Sequence, residues 1–198
     1  MKAKRILILC TMLLAIAAQT FAATAIVAGG CFWCMESDFE KLEGVTDVIS
    51  GFTGGTLPNP TYNGNHTGHY EAVEITYDPQ KLSYTQLLDY YWHHIDPFDD
   101  GGQFCDRGHS YKSAIFVAND EEMKIAEKSK LEAQAMFPDQ KIVTPILPAI
   151  TFWPIKGEEN YHQDYYKNNP VRYKYYRWGC GRDQRLEEIW GDKTKHKM

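Results

Sequence analysis

The sequence predicts an α+β domain of βαββαβ order, a mixed or antiparallel sheet with helices packed on it and a long C-terminal tail wrapped over the body. Three observations lead there. Strand-like and helix-like segments alternate from Thr24 onward. Two strand patterns follow one another with no helix between them from Val45 to Tyr77, the β-β step of a split βαβ unit. From Val171 the alternation gives way to an aromatic-rich stretch, VRYKYYRWGCGRDQRLEEIWG.

Taken in order, TAIVA (Thr24 to Ala28) is a short apolar run fit for a buried strand, and Gly29-Gly30 supplies the turn after it. CFWCMESDFEKLEG reads as a helix ending at Gly44, followed by the strand VTDVISGFTGG. LPNPTYNGNHTGH is a polar loop punctuated by Pro58, Pro60 and Gly/Asn turn signals. In YEAVEITYD, Val73, Ile75 and Tyr77 alternate with Ala72, Glu74 and Thr76, the pattern of a half-buried strand. Ser83 caps the amphipathic helix YTQLLDYYWHHI. After the irregular DPFDDGGQFCDRGHSY come the strand KSAIFVA and a helix from about Glu121 to Phe137, capped by Asn119 or Asp120. IVTPILPAITFWPI is strand-like but broken by prolines, and EENYHQDYYKNN forms a short helix. The tail can bend at Cys180, which lies between two glycines.

At 198 residues, 43% hydrophobic and 14% aromatic, the chain suits one domain with a substantial core. Lys+Arg 21 against Asp+Glu 26 gives a formal charge of −5. No basic stripe interleaved with aromatics occurs, which argues against a nucleic-acid partner. The start is of another kind. MKAKR is basic, ILILCTMLLAIAA is an apolar run of signal-peptide length, and QTFA ends it in small residues. That run is too short for a comfortable membrane span. Residues 1–22 are therefore expected to be a signal cleaved after Ala22, leaving a single domain, 23–198, with 171–198 as its tail. An exported monomer without stable membrane association is expected, periplasmic or secreted.

Cys10 leaves with the signal, so Cys31, Cys34, Cys105 and Cys180 remain. In an oxidising compartment they could form two structural disulfides. A chain this long and this apolar does not need such staples, so reactive cysteines are the stronger reading. Cys31 opens a predicted helix, where unpaired N–H groups and the dipole favour the thiolate, the nucleophilic form. Cys34 lies a turn deeper, where that help is weaker. Phe32 and Trp33 suit a core, and equally a wall for a methyl or thioether group.

GCFWCMES, GFTGG, PNPTY, GHYEAVEITYDP and CDRGHSYKSAIF occur in this order, and together with ENYHQDYY and YYRWGCGRD they resemble the peptide-methionine (S)-S-oxide reductase family, the A-type methionine sulfoxide reductases. The resemblance runs from about Ala25 to Gly191. It implies a fold built on a ferredoxin-like plait and reduction of methionine S-sulfoxide, free or in oxidised proteins. It further implies Cys31 as the nucleophile on the sulfoxide sulfur, Phe32 and Trp33 as the cradle for the S-methyl group, and Glu71 as the acid that protonates the oxygen. Tyr62 and Tyr111 match hydroxyls that hold this oxygen, and Asp106 matches an aspartate that orients the polar network. Cys180 is the expected resolving cysteine, with Cys34 as its rival and Cys105 as a third candidate.

The residues alone support this chemistry. A sulfoxide oxygen leaves poorly until protonated, so the site needs a carboxylic acid. A carboxyl near apolar walls and a thiolate keeps its proton longer, and tyrosine hydroxyls stabilise charge on oxygen. The sulfenic acid left on Cys31 condenses with a second thiol, and the disulfide is then reduced from outside. No metal, flavin or nucleotide fingerprint is present, so no cofactor is expected beyond an external dithiol reductant, a thioredoxin-like protein. Two other readings use the same cysteines. A thioredoxin-like disulfide exchanger would need only Cys31 and Cys34, and a structural zinc site would gather Cys31, Cys34, Cys105 and His109. Of the remaining histidines, His162 fits a packing or hydrogen-bonding role.

Overall fold

The computed structural model describes residues 21–191, so the expected signal, apart from Phe21 and Ala22, lies outside the described residues. In chain order the elements are β1 (Ala23–Gly29), α1 (Phe32–Phe39), β2 (Val45–Thr53), β3 (Tyr70–Tyr77), α2 (Tyr84–Trp92), β4 (Gly102–Gln103), β5 (Asp106–Arg107) and β6 (Ser113–Val117). Then follow α3 (Asp120–Ala135), β7 (Ile146–Pro148), β8 (Trp153–Pro154), α4 (Tyr165–Asn168), α5 (Pro170–Gly179) and α6 (Arg182–Trp190). The main sheet runs β7-β6-β1-β3-β2-β8. Its four central strands pair antiparallel in the order of a ferredoxin-like plait, β8 adds antiparallel to β2, and only β7 is parallel, to β6. The expected α+β fold is the observed one.

The apolar pattern decides which face carries the helices. Val73, Ile75 and Tyr77 of β3 enter the main core with Val27 of β1 and Leu87 and Leu88 of α2. Burying each aliphatic side chain of this kind contributes about 1.5–3 kcal/mol. Ala72 faces a smaller cluster with Tyr70, Ala114 and Phe116 on the opposite side. Helix starts are set by polar caps. Ser83 and Gln86 form a capping box at α2, and the Asn119 side chain accepts from the N–H groups of Glu121 and Glu122 at α3.

Two differences from the sequence reading stand out. Helix α1 stops at Phe39 rather than running to Gly44. The tail, to which the sequence reading assigns no elements, consists of two helices, α5 and α6, and its bend falls at Gly181 rather than at Cys180, with a φ of 65 that suits a glycine. Its moorings are polar. The Arg182 guanidinium, 1% exposed, donates to the carbonyls of Gly29 at 3.1 Å and His94 at 2.7 Å. Arg177 forks onto both oxygens of Asp38 at 2.8 and 3.0 Å, and the Trp190 indole donates to the Ile95 carbonyl at 3.1 Å.

A covalent tie adds to these. Cys180, at the end of α5, is bonded to Cys105 across 75 residues. Closing a loop of this length in the unfolded chain is worth about 4 kcal/mol on the chain-entropy account. A Cys105→Ser/Cys180→Ser protein is therefore expected to melt about 10 °C lower than the wild type, as a thermal denaturation series would show.

Candidate active site

Strand β1 delivers the chain to Gly29-Gly30, and Cys31 caps α1. Gly30 has φ +85, and a Cβ there would lie 2.6 Å from Gln103 Cβ. The absence of a side chain lets the β4–β5 hairpin sit against the turn, and that hairpin carries Asp106. Gln103 holds the hairpin by a two-way hydrogen bond with the backbone of Asp96. From β3, directly across the sheet from Phe52, comes Glu71.

These elements converge on a cavity of about 60 Å³ lined by Cys31, Phe32, Trp33, Tyr62, Glu71, Asp106, Tyr111 and Tyr176. Two larger grooves lie elsewhere on the molecule, but neither gathers a nucleophile, an acid and hydroxyls. The structure thus brings together seven of the residues read from sequence. It does not bring Cys180 to Cys31, because Cys180 is tied to Cys105. The thiol in contact with Cys31 is Cys34, and both of these are free and buried.

Glu71 is 2% exposed, and its Oε2 accepts the Phe32 backbone N–H at 3.1 Å. Burial raises its carboxyl well above the usual 4.5, only partly offset by this bond and by the Tyr111 hydroxyl, while the charge of Asp106 pushes in the same direction. Glu71 therefore holds its proton to higher pH than an ordinary carboxyl, one oxygen bonded to the backbone and the other placed to give that proton. Tyr62 is pushed up to about 12 by burial and the charge of Glu71, and Tyr111 is raised for the same reasons. Both stay neutral donors.

The two free cysteines invert the expected ranking. Burial, the hydrogen bond to Cys34 and the charges of Cys34 and Glu71 hold the Cys31 thiol well above its usual value. The first helical N–H, which would have favoured a thiolate, is taken by Glu71. Cys34 is held down to about 7 by the hydrogen bond from Cys31 and, against burial, by Arg182 and Arg177. The pair thus shares a proton, with the charge leaning toward the deeper sulfur and the tail's guanidinium groups.

The apolar wall is built of rings. Phe32 meets Phe52, Tyr62 and His162 edge to face at 5.5–6.1 Å. Trp33 stacks on Tyr165 at 3.8 Å and donates its indole N–H to His162 Nδ1 at 3.0 Å, which places the imidazole proton on Nε2. Glu36 fixes Tyr165 from behind by accepting the Asp164 N–H at 2.9 Å and the Ser50 hydroxyl at 3.2 Å. His162 therefore has the hydrogen-bonding role expected of it. Tyr176 was not foreseen. Its position among five aromatic residues of the tail gave no signal, and only the register of α5 turns it toward Cys31. The four proposed zinc ligands are not gathered, since Cys105 is in the disulfide and His109 Nε2 faces the Gly68 carbonyl at 3.1 Å.

Residues 23–194 match the family model described as peptide methionine sulfoxide reductase. The chain belongs to this family. Among its relatives is peptide methionine sulfoxide reductase MsrA 2 of Caulobacter vibrioides, 54% identical over 171 residues and covering 85% of each chain. Methionine sulfoxide reductase A of Corynebacterium diphtheriae has a solved structure that superposes with a TM-score of 0.65 at 31% identity, covering 77% of each chain. Mxr1 of Saccharomyces cerevisiae, solved in reduced form, gives a TM-score of 0.67 at 25% identity over 75% of this chain and 86% of its own. The same yeast protein has been solved in complex with Trx2, and there the likeness, 23% identity and a TM-score of 0.51 over 73% of this chain and 84% of that one, is one of fold.

Proposed function

We propose that the chain is a thiol-dependent reductase of methionine S-sulfoxide, free or in oxidised proteins, with Cys31 as nucleophile and Glu71 as acid. One observation carries this reading: a buried carboxyl accepts the backbone N–H of the residue after Cys31, inside a ring-walled pocket of a few atoms' capacity. The sulfoxide's methyl lies against Phe32 and Trp33, and its oxygen points toward Glu71, Tyr62 and Tyr111. Cys31 sulfur attacks the sulfoxide sulfur as Glu71 protonates the oxygen. In the adduct the hydroxyl passes from the substrate sulfur to Cys31 sulfur as the bond between the two sulfurs breaks, so methionine departs as the thioether and Cys31 is left as a sulfenic acid.

Cys34 then attacks that sulfur and water leaves, forming a Cys31–Cys34 disulfide. This assignment departs from the expectation at Cys180, and it rests on contact and charge: Cys34 touches Cys31 and is the more acidic thiol, while Cys180 is already bonded. An outside dithiol closes the cycle by exchange, and a thioredoxin-like protein fits that chemistry. Export as a cleaved single domain is part of the same reading. It is supported by the basic-then-apolar start of the sequence and by a disulfide involving an exposed cysteine, Cys105, which suits an oxidising compartment. No helix among the described residues is long and apolar enough to cross a membrane.

The test is a disulfide map by mass spectrometry after one turnover with methionine sulfoxide and no reductant. One methionine per chain, a new Cys31–Cys34 bond and an intact Cys105–Cys180 bond are expected. A Cys31–Cys180 bond would instead restore the tail as the resolving element. An unmodified Cys31 beside formed methionine would overturn the mechanism.

A further inference from the structure

The hydroxyls matched to the family all serve the oxygen end of the pocket, while Tyr176 serves the sulfur end. It comes from α5, one helical turn before Cys180, whose N–H donates to the Tyr176 carbonyl at 2.9 Å. The phenol stands edge-on to Trp33 at 5.7 Å, lines the pocket, donates to Asp106 Oδ2 at 2.5 Å and is in hydrogen-bonding contact with Cys31. Asp106 is the neighbour of Cys105, and Tyr176 sits four residues before Cys180. The disulfide and the Tyr176–Asp106 hydrogen bond are therefore parallel ties between the same two segments.

A phenol has one proton to give. While Cys31 is a thiol, the proton goes to the Asp106 carboxylate, and the phenol oxygen is available to the thiol. Once Cys31 becomes a thiolate, two anions compete for the hydroxyl. Asp106 can release it, because the Arg182 guanidinium also attracts that carboxylate. Facing Cys31 are Cys34 from the same helix, Glu71 from β3 and Tyr62 from the loop before it, Tyr111 beyond β5, and Tyr176. Glu71 and Cys34 oppose charge on Cys31. Tyr176 is the contact that favours it. Its phenol is partly buried and stays protonated.

We infer that Tyr176 is a further catalytic residue, the hydroxyl that turns from Asp106 to the Cys31 sulfur and stabilises the attacking thiolate, and that the Cys105–Cys180 disulfide is the clasp that holds it there. A hydrogen bond to the charged form lowers a thiol's pKa, and one unit corresponds to about tenfold in thiolate population at neutral pH.

The experiment follows alkylation of Cys31 by iodoacetamide against pH, with the modified residue located by fragment mass spectrometry, in the wild type, in Tyr176→Phe and in Cys105→Ser/Cys180→Ser. In Tyr176→Phe the Cys31 midpoint is expected to rise by about one unit, with alkylation at neutral pH about tenfold slower. Single-turnover methionine formation should fall by a similar factor with little change in its dependence on sulfoxide concentration. The double-serine protein should shift the midpoint in the same direction by a smaller amount. A wild-type alkylation profile in Tyr176→Phe overturns the role of Tyr176, and one in the double-serine protein overturns that of the clasp. The inference rests on the reductase reading only for its effect on turnover. Alkylation needs no sulfoxide, so a shifted profile in a chain that forms no methionine would sink that reading and leave Tyr176's effect on Cys31 standing.

Discussion

Glu71→Gln is expected to slow methionine formation by about 10²- to 10⁴-fold, the usual contribution of a positioned general acid, while leaving substrate binding and the fold largely unchanged. The amide keeps the size of the carboxyl, and its oxygen can still accept the Phe32 N–H. What it loses is a proton that can be given to the sulfoxide oxygen at the moment the S–O bond of the substrate is broken. The pH dependence carries the same information. Burial raises the Glu71 carboxyl well above 4.5, so its acid form outlasts that of an ordinary carboxyl, and the chemical step should decline as pH rises through that elevated value. The stability sign agrees: the folded chain holds a proton that the unfolded chain has released. Glu71's contribution to stability is thus complete below about 4.5 and is lost as pH rises through the folded value. Rapid-quench measurement of methionine across pH decides the point. A Gln variant within threefold of wild type would remove Glu71 from the mechanism.

Asp38→Asn is expected to cost about 3–5 kcal/mol of folding stability, the range for breaking a buried ion pair from one side. Asp38 is 3% exposed and receives two bonds from Arg177, with Arg182 Nε 3.8 Å away. Burial alone would raise its carboxyl, but Arg177, His94 and Arg182 outweigh that and hold it below 3.8. Its contribution is therefore present above 3.8 and is lost as pH falls through the lower folded value. Without the carboxylate, two guanidinium groups 15% and 2% exposed lose their shared anion, and the tail loses its main polar mooring. Urea unfolding measures the loss. A change below about 1 kcal/mol, the scale of an exposed pair, would mean that the tail is held by its disulfide and its apolar contacts instead.

The contrast between these two sites explains what could be read from sequence. The plait was legible because Val73, Ile75 and Tyr77, or Leu87 and Leu88, repeat with the period of their element and make the core by that repetition. Much of the pocket was legible too, since Cys31, Glu71, Tyr62, Asp106 and Tyr111 lie in short motifs with ordered spacing. The tail obeys no such rule. Helices α5 and α6 bury few apolar side chains, and they are fixed by Arg177, Arg182 and Cys180, each answering to a partner more than 70 positions away. A pairing over that distance leaves no mark on local periodicity. The order of the two free cysteines was missed for a related reason. Position at a helix start was visible, whereas the claim of Glu71 on that N–H and the nearness of the tail's guanidinium groups belong to the folded chain alone.

The docking of the tail also sets an order of events. Tyr176, Arg177 and Arg182 are synthesised long after the Cys31–Cys34 pair, yet they neighbour the helix that carries it. Until they arrive, the Cys31–Cys34 pair lacks the cations that draw its charge inward and the phenol that answers it. A chain interrupted before Cys180 would carry every motif of the pocket wall and none of these neighbours. Synthesis through α6 and closure of the Cys105–Cys180 bond thus stand as late assembly steps of the catalytic centre, and its reactive thiols are finished only once α5 and α6 have docked.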